Sequence, residues 1–141
     1  MNKQKTRYTK GMPKAYKMPI DEFCERYGLD IKVIMHRLNI TCWQDFDALV
    51  VPTSLWDTKP HIIKRVLKML NMGWSHPEIA NRLGIPEQHV SIIENMSEYE
   101  KEIYTDAEGK YFKTFFHLNS DAIDVSKIFH VVDPDTVVVS A

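Results

Sequence analysis

Four side chains able to hydrogen-bond a polar ligand crowd together just after Gly84: Gln88, His89, Ser91 and Asn95, within IPEQHVSIIEN. No Lys or Arg accompanies them between Pro86 and Met96. On one face of a helix, such residues can read nucleic-acid base edges. A Gln amide can pair in bidentate fashion with adenine, His, Ser and Asn can donate or accept, and Glu87 can accept from a cytosine amino group. A second set, Lys32, His36 and Arg37, lies in DIKVIMHRL and adds positive charge. A third set is cationic: Lys10, Lys14 and Lys17 in the leading stretch, and Lys64 and Lys68 in HIIKRVLKML. Ammonium groups of this kind suit phosphates. The chemistry these residues predict is recognition.

Residues suited to catalysis do not group in this way. The six histidines, at positions 36, 61, 76, 89, 117 and 130, have no metal-ligand spacing, and no Cys lies near enough to complete a zinc cluster. Asp133 and Asp135 flank Pro134 and read as turn residues. No glycine-rich phosphate loop is present. Cys24 and Cys42 form neither a C-x-x-C pair nor a disulfide framework, and both read as buried free thiols. The expectation is a protein that is not an enzyme and needs no cofactor.

The recognition residues require helices to carry them. In PIDEFCERYGLDIKVIMHRL, Pro19 starts a helix with Asp21 and Glu22 near its N-terminus, and Phe23, Cys24 and Tyr27 form its apolar stripe. Gly28 is placed to end it, Asp30 to cap the next, and Val33, Ile34 and Leu38 to bury that second helix. Residues 60–72 form a third helix, buried through Ile62, Ile63, Val66, Leu67 and Leu70. Ser75 and Glu78 then make an S-x-x-E capping box, Gly84 turns the chain, and Pro86 opens a helix running to about Met96. The first and last pairs align at an offset of 56: Phe23 with Ile79, Cys24 with Ala80, Tyr27 with Leu83, Gly28 with Gly84, Leu29 with Ile85, Ile34 with Val90. That is the helix-turn-helix pattern, twice. A small residue admits the crossing, the glycine supplies the turn, and apolar residues lock the second helix. The same modules also serve as protein contacts. The second pair therefore has two readings, base recognition or a structural or dimer-forming role in which Ile92 packs on a partner.

The chain has 141 residues, 44% of them hydrophobic, which supports a core. No apolar run approaches the ~18 residues of a membrane span, and no apolar block follows the N-terminal charges, so a cytoplasmic protein is expected. The net charge of −1 hides an asymmetry: residues 1–68 hold 13 Lys/Arg and 7 Asp/Glu, whereas residues 69–141 hold 5 and 12. A polyanion would meet the basic half. Residues 1–17, with six Lys/Arg and no acid, read as a flexible arm that either solvates the protein or lies along phosphates. After about Tyr99, EIYTDAEGKYFKTFFHL reads as strand, turn, strand, residues 120–129 as a short helix, and HVVDPDTVVVS as a hairpin. Trp43, Trp56 and Trp74 read as core or module-seam residues rather than base-stacking platforms. The expected fold is mainly α. It has an arm over 1–17, helix-turn-helix modules over 18–56 and 57–98, and a small α+β region over 99–141 suited to dimerisation or a partner.

Between Glu22 and Pro52 the pattern becomes specific. EFCERYGLDIKVIMHRLNITCWQDFDALVVP resembles the small helical modules attached to phage homing endonucleases and related phage proteins. Those run as a helix, a Gly turn, a second helix ending in Arg-Leu, a Trp, then Ala-Leu and a Pro, matched here by Gly28-Leu29, Arg37-Leu38, Trp43, Ala48-Leu49 and Pro52. The family places Gly before the Trp where this chain has Cys42. The resemblance implies a DNA-targeting module that usually positions a nuclease, but no LAGLIDADG-like helix, GIY…YIG pair or His-Asn-His arrangement accompanies it. The expected function is therefore sequence-specific binding of double-stranded DNA without a nuclease, as a transcriptional repressor of a phage or mobile element, and a homodimer is expected because a single small module seldom secures enough specificity. A protein-binding adaptor and the DNA-targeting subunit of a nuclease are the alternatives. The preferred groove residues are Lys32 and His36, which have no evident packing duty. Arg37 is either a third, or a structural residue that pairs with an acid and fixes the Trp43 turn.

Overall fold

The computed structural model of this protein describes residues 8–9, 12, 16–105, 112–114, 117–118 and 123–129, with the segments 112–114 and 117–118 described by their backbone. The chain is mainly helical. Helix α1 (Ile20–Tyr27) follows Pro19 and carries Asp21 and Glu22 in its first turn, where free N–H groups favour negative charge. Gly28 ends it at φ 68, ψ 32. Asp30 then caps α2 (Ile31–Asn39), its carboxylate accepting from the Lys32 N–H at 3.0 Å. After α3 (Asp45–Val50) and α4 (Pro60–Asn71), the first arrangement recurs in α5 (His76–Leu83) and α6 (Glu87–Glu94), with Gly84 between them at φ 69, ψ 34.

The two turns match bond for bond. The N–H groups of Gly28 and Leu29 both donate to the Cys24 carbonyl, and those of Gly84 and Ile85 both donate to the Ala80 carbonyl. A side chain in this left-handed conformation costs roughly 1–2 kcal/mol, which is why glycine occupies both positions. The paired residues Phe23 and Ile79, and Ile34 and Val90, are all fully buried. The capping box forms as its spacing requires: Ser75 Oγ accepts from the Glu78 N–H at 3.3 Å, and Glu78 Oε1 accepts from the Ser75 N–H at 2.9 Å.

α4 packs against α5, α6 and α7 (Glu98–Thr105), and α2 packs against α3. A single buried cluster runs from Met12 through Phe23, Ile34, Leu49, Leu55, Ile63, Ile79 and Ile103 to Phe129. The boundary expected at residue 57 therefore does not divide the core.

Several expectations need correction. Residues 102–105, expected to open a strand, are the end of α7. Ser97 and Glu100 make a second capping box, with each backbone N–H donating to the other's side chain at 3.1–3.2 Å. The antiparallel pairing lies further on, between β1 (Phe112–Thr114) and β2 (His117–Leu118), both inside the stretch assigned to the second strand. In place of a helix over 120–129, the described residues make one 3-10 turn, Val125–Lys127, capped by Asp124. The hairpin expected around Asp133-Pro134-Asp135 lies outside the described residues. The leading arm is not wholly free either. Thr9 and Met12 are buried, and the Thr9 N–H donates to the Met18 carbonyl at 3.0 Å.

Cys24 is buried as expected, and burial, reinforced by Asp21 and Asp30, pushes its thiol up to about 12. Cys42 is exposed, contrary to expectation, and sits at φ 56. The backbone here adopts the left-handed conformation that suits Gly. Because the Cys42 side chain is exposed, Cys42→Gly is expected to raise stability by about 0.5–1 kcal/mol in urea unfolding. A destabilised variant would show that the left-handed turn is unstrained.

Candidate nucleic-acid interface

The second helix of each pair presents a different surface. On α2, Ile31, Lys32 and Met35 are exposed and His36 is half-buried. His36 is not free of packing duty: its Nε2 lies 2.9 Å from Asp57 Oδ2, and its ring meets Trp56 edge-on, centroids 6.2 Å apart. On α6, Glu87 and Gln88 are exposed in the first turn, the part of a reading helix that reaches base edges first. His89 Nδ1 lies 2.9 Å from Thr58 Oγ1, and burial lowers its pKa, so the ring is neutral at pH 7. Ser91 is half-buried, as is Ile92, and Asn95 is exposed at the far end, where it caps the helix. The adjacent residues Asp57 and Thr58 thus each hold a histidine, one from α2 and one from α6. The structure brings those two helices to a common strut, a link the sequence did not reveal.

Arg37 is a correction. It has 0% exposure and cannot reach a phosphate or a base. Its Nε donates to the Trp56 carbonyl at 2.6 Å, Nη1 to those of Ala48 and Val51 at 2.8 and 2.7 Å, and Nη2 to that of Pro52 at 2.8 Å. These include carbonyls at the end of α3, which have no partner within the helix. The guanidinium also lies over the Trp43 ring, 4.5 Å from its centroid. The structural alternative therefore holds, with carbonyls as partners in place of an acid. Burial pushes the Arg37 pKa down to about 10, partly offset by Tyr104 and Asp57, which leaves it cationic at neutral pH.

Lys64 and Lys68 are exposed on α4 and line a groove of about 600 Å³ with Lys101, Asn71, Glu94 and Glu98. Glu98 approaches Lys101 to 3.8 Å, and Glu94 bonds His76 at 2.9 Å. A phosphate gripped by Lys64 and Lys68 therefore also meets two acids across the groove. Lys17 is exposed, and Lys10 and Lys14 lie outside the described residues.

Trp56 departs furthest from expectation. It is 49% exposed, whereas Trp43 is buried and Trp74 half-buried. Its backbone is at φ 47, ψ −114, and the Thr58 N–H donates to the Leu55 carbonyl at 2.9 Å. These values define a type II′ turn with Trp at the first central position, where Gly is usual. A bulky residue held there costs about 1–3 kcal/mol.

Among the described residues, no group of His, Cys, Asp or Glu is arranged to hold a metal ion, and no helix is long and apolar enough to cross a membrane. No family model, curated protein or solved structure gives a significant match to this chain.

Proposed function

We propose that this protein binds double-stranded DNA in a sequence-specific manner and acts as a repressor by occupying an operator. The observation that carries the reading is the repeat of one helix–glycine–helix geometry at an offset of 56, with exposed Lys32 on one second helix and exposed Gln88 on the other. Both helices are tied through His36 and His89 to one strut, which fixes the spacing between two reading surfaces. Lys32 and Gln88 are the leading base-contact candidates, with Glu87 beside Gln88. Lys17, Lys64 and Lys68 are the phosphate contacts within reach of solvent. The phage or mobile-element setting extends the resemblance of residues 22–52, and a homodimeric state and a cytoplasmic, nucleoid-associated location belong to the same reading. A homodimer would let short modules read an inverted repeat.

Selection of bound fragments from a random duplex pool tests this directly, and an enriched palindrome is the supporting result. With around five phosphate contacts, the logarithm of affinity should fall against the logarithm of salt with slope about −4 to −5. Lys32→Ala or Gln88→Ala should relax preference at one position by about 1–3 kcal/mol. Purified protein that binds no duplex even at low ionic strength would overturn the reading.

A protein-binding adaptor is the second reading. Exposed Ile31, Met35 and Ile40, the last at 68% exposure, and the acids of α6 and α7 favour it. DNA-independent self-association or partner capture through these residues would support it.

A further inference from the structure

The strut between the helix pairs places a tryptophan where the backbone calls for glycine. Trp56 occupies the first central position of the Leu55–Thr58 turn at φ 47, ψ −114, and half of its surface faces solvent. An aromatic side chain that serves the core is buried, and a turn that serves only to reverse the chain takes glycine. Trp56 does neither. Its carbonyl is held by Arg37 Nε at 2.6 Å, and the same guanidinium grips Ala48, Val51 and Pro52, so the turn is bolted to the end of α3 and to α2. The indole lies roughly perpendicular to the His36 ring, one turn along α2 from Lys32. Lys59 follows three residues later, and among the described residues neither Lys32 nor Lys59 forms an ion pair. The neighbouring Asp57 carboxylate is engaged by His36 and by Thr41 Oγ1 at 3.3 Å.

We infer that Trp56 is an affinity anchor for duplex DNA: the indole packs on the deoxyribose and base edges beside the groove that α2 enters with Lys32, and Lys59 meets a flanking phosphate. This deepens the proposed function and rests on it. Large aromatic side chains held rigid before binding lose little freedom when they dock, and they are the residues on which binding energy concentrates. Apolar side chains also make recognised contacts in DNA grooves, to thymine methyl groups and between base steps. The cationic flanks favour a polyanion over an apolar protein surface.

Two variants separate the side chain from the turn. Trp56→Ala and Trp56→Gly both remove the indole, but only glycine relieves the left-handed backbone. Duplex affinity, measured on fragments selected by the unaltered protein, is expected to fall at least tenfold in both. Thermal unfolding is expected to place Trp56→Gly above Trp56→Ala. The structure-only account predicts that affinity follows stability, with the glycine variant recovering binding. Unchanged affinity in both variants, or recovery in the glycine variant, overturns the anchor while leaving DNA binding intact. Absence of duplex binding by the unaltered protein overturns the proposed function itself, and the anchor with it. If loss of the indole abolishes self-association and leaves DNA affinity unchanged, Trp56 belongs to a contact between copies and the inference fails.

Discussion

Replacing Arg37 with Met is expected to destabilise the protein by about 4–6 kcal/mol, enough to unfold much of it at moderate temperature. Arg37 binds the carbonyls of Ala48, Val51, Pro52 and Trp56 at 2.6–2.8 Å. A buried acceptor left without a donor costs about 1–3 kcal/mol. The bonds to Ala48 and Val51 are buried and those to Pro52 and Trp56 partly so. Met fills a similar volume, so most of the loss belongs to the acceptors. Arg37→Lys keeps the charge but not the planar fork. A single ammonium cannot address four carbonyls arranged around a guanidinium, and about half of the loss should remain. Urea unfolding of the two variants checks both magnitudes. Either one falling within about 1 kcal/mol of the unaltered protein would show that the clamp does not hold the turn. Lost DNA binding in an Arg37 variant would then report folding, because Arg37 itself is out of reach of any ligand.

Arg37 also shows what could be read in advance. It lies four residues after Val33, beside Leu38, on the side of α2 that faces inward, so the apolar period already placed it in the core. Its charge argued for the surface, and packing decided the matter because α3 offered unsatisfied carbonyls that no sequence pattern displays. The glycine turns and the Ser75 capping box were legible for the opposite reason, since each rests on a local rule that tertiary contacts do not alter. The helix α7 carried the same kind of local signal in Ser97 and Glu100, but the aromatic residues near Tyr104 resembled a strand more strongly. α3 is buried on every side, from Asp45 to Val50, so it has no polar face and no period to detect. At the candidate interface, the exposed positions of Lys32 and Gln88 followed from helix periodicity. The strut at Asp57 and Thr58 did not, because contacts across 21 and 31 residues leave no trace in composition or spacing.

Asp47→Asn is expected to stabilise the protein at alkaline pH and to do so less in acid. Asp47 is 2% exposed, and among the described residues its Oδ1 has no hydrogen-bond partner. Burial alone raises its pKa from 3.8 to about 7. Arg37 gives it no relief, since the guanidinium is committed to carbonyls. Below about pH 4 the carboxyl is protonated whether the chain is folded or not, and the site costs nothing. Above that, the unfolded chain releases its proton while the folded chain keeps it, so stability declines as pH rises until the folded group ionises near pH 7. The decline totals about 4 kcal/mol, of which about 2–3 kcal/mol falls between pH 5 and pH 8. An asparagine in the same place carries a constant cost for its own polar atoms, independent of pH. The stability difference between variant and parent should therefore shift in the variant's favour by about 2–3 kcal/mol from pH 5 to pH 8, whatever its absolute value. Urea unfolding of both proteins at the two pH values measures this. An equal difference at both would mean that the carboxyl is ionised throughout, and that a charge is tolerated in the centre of this core.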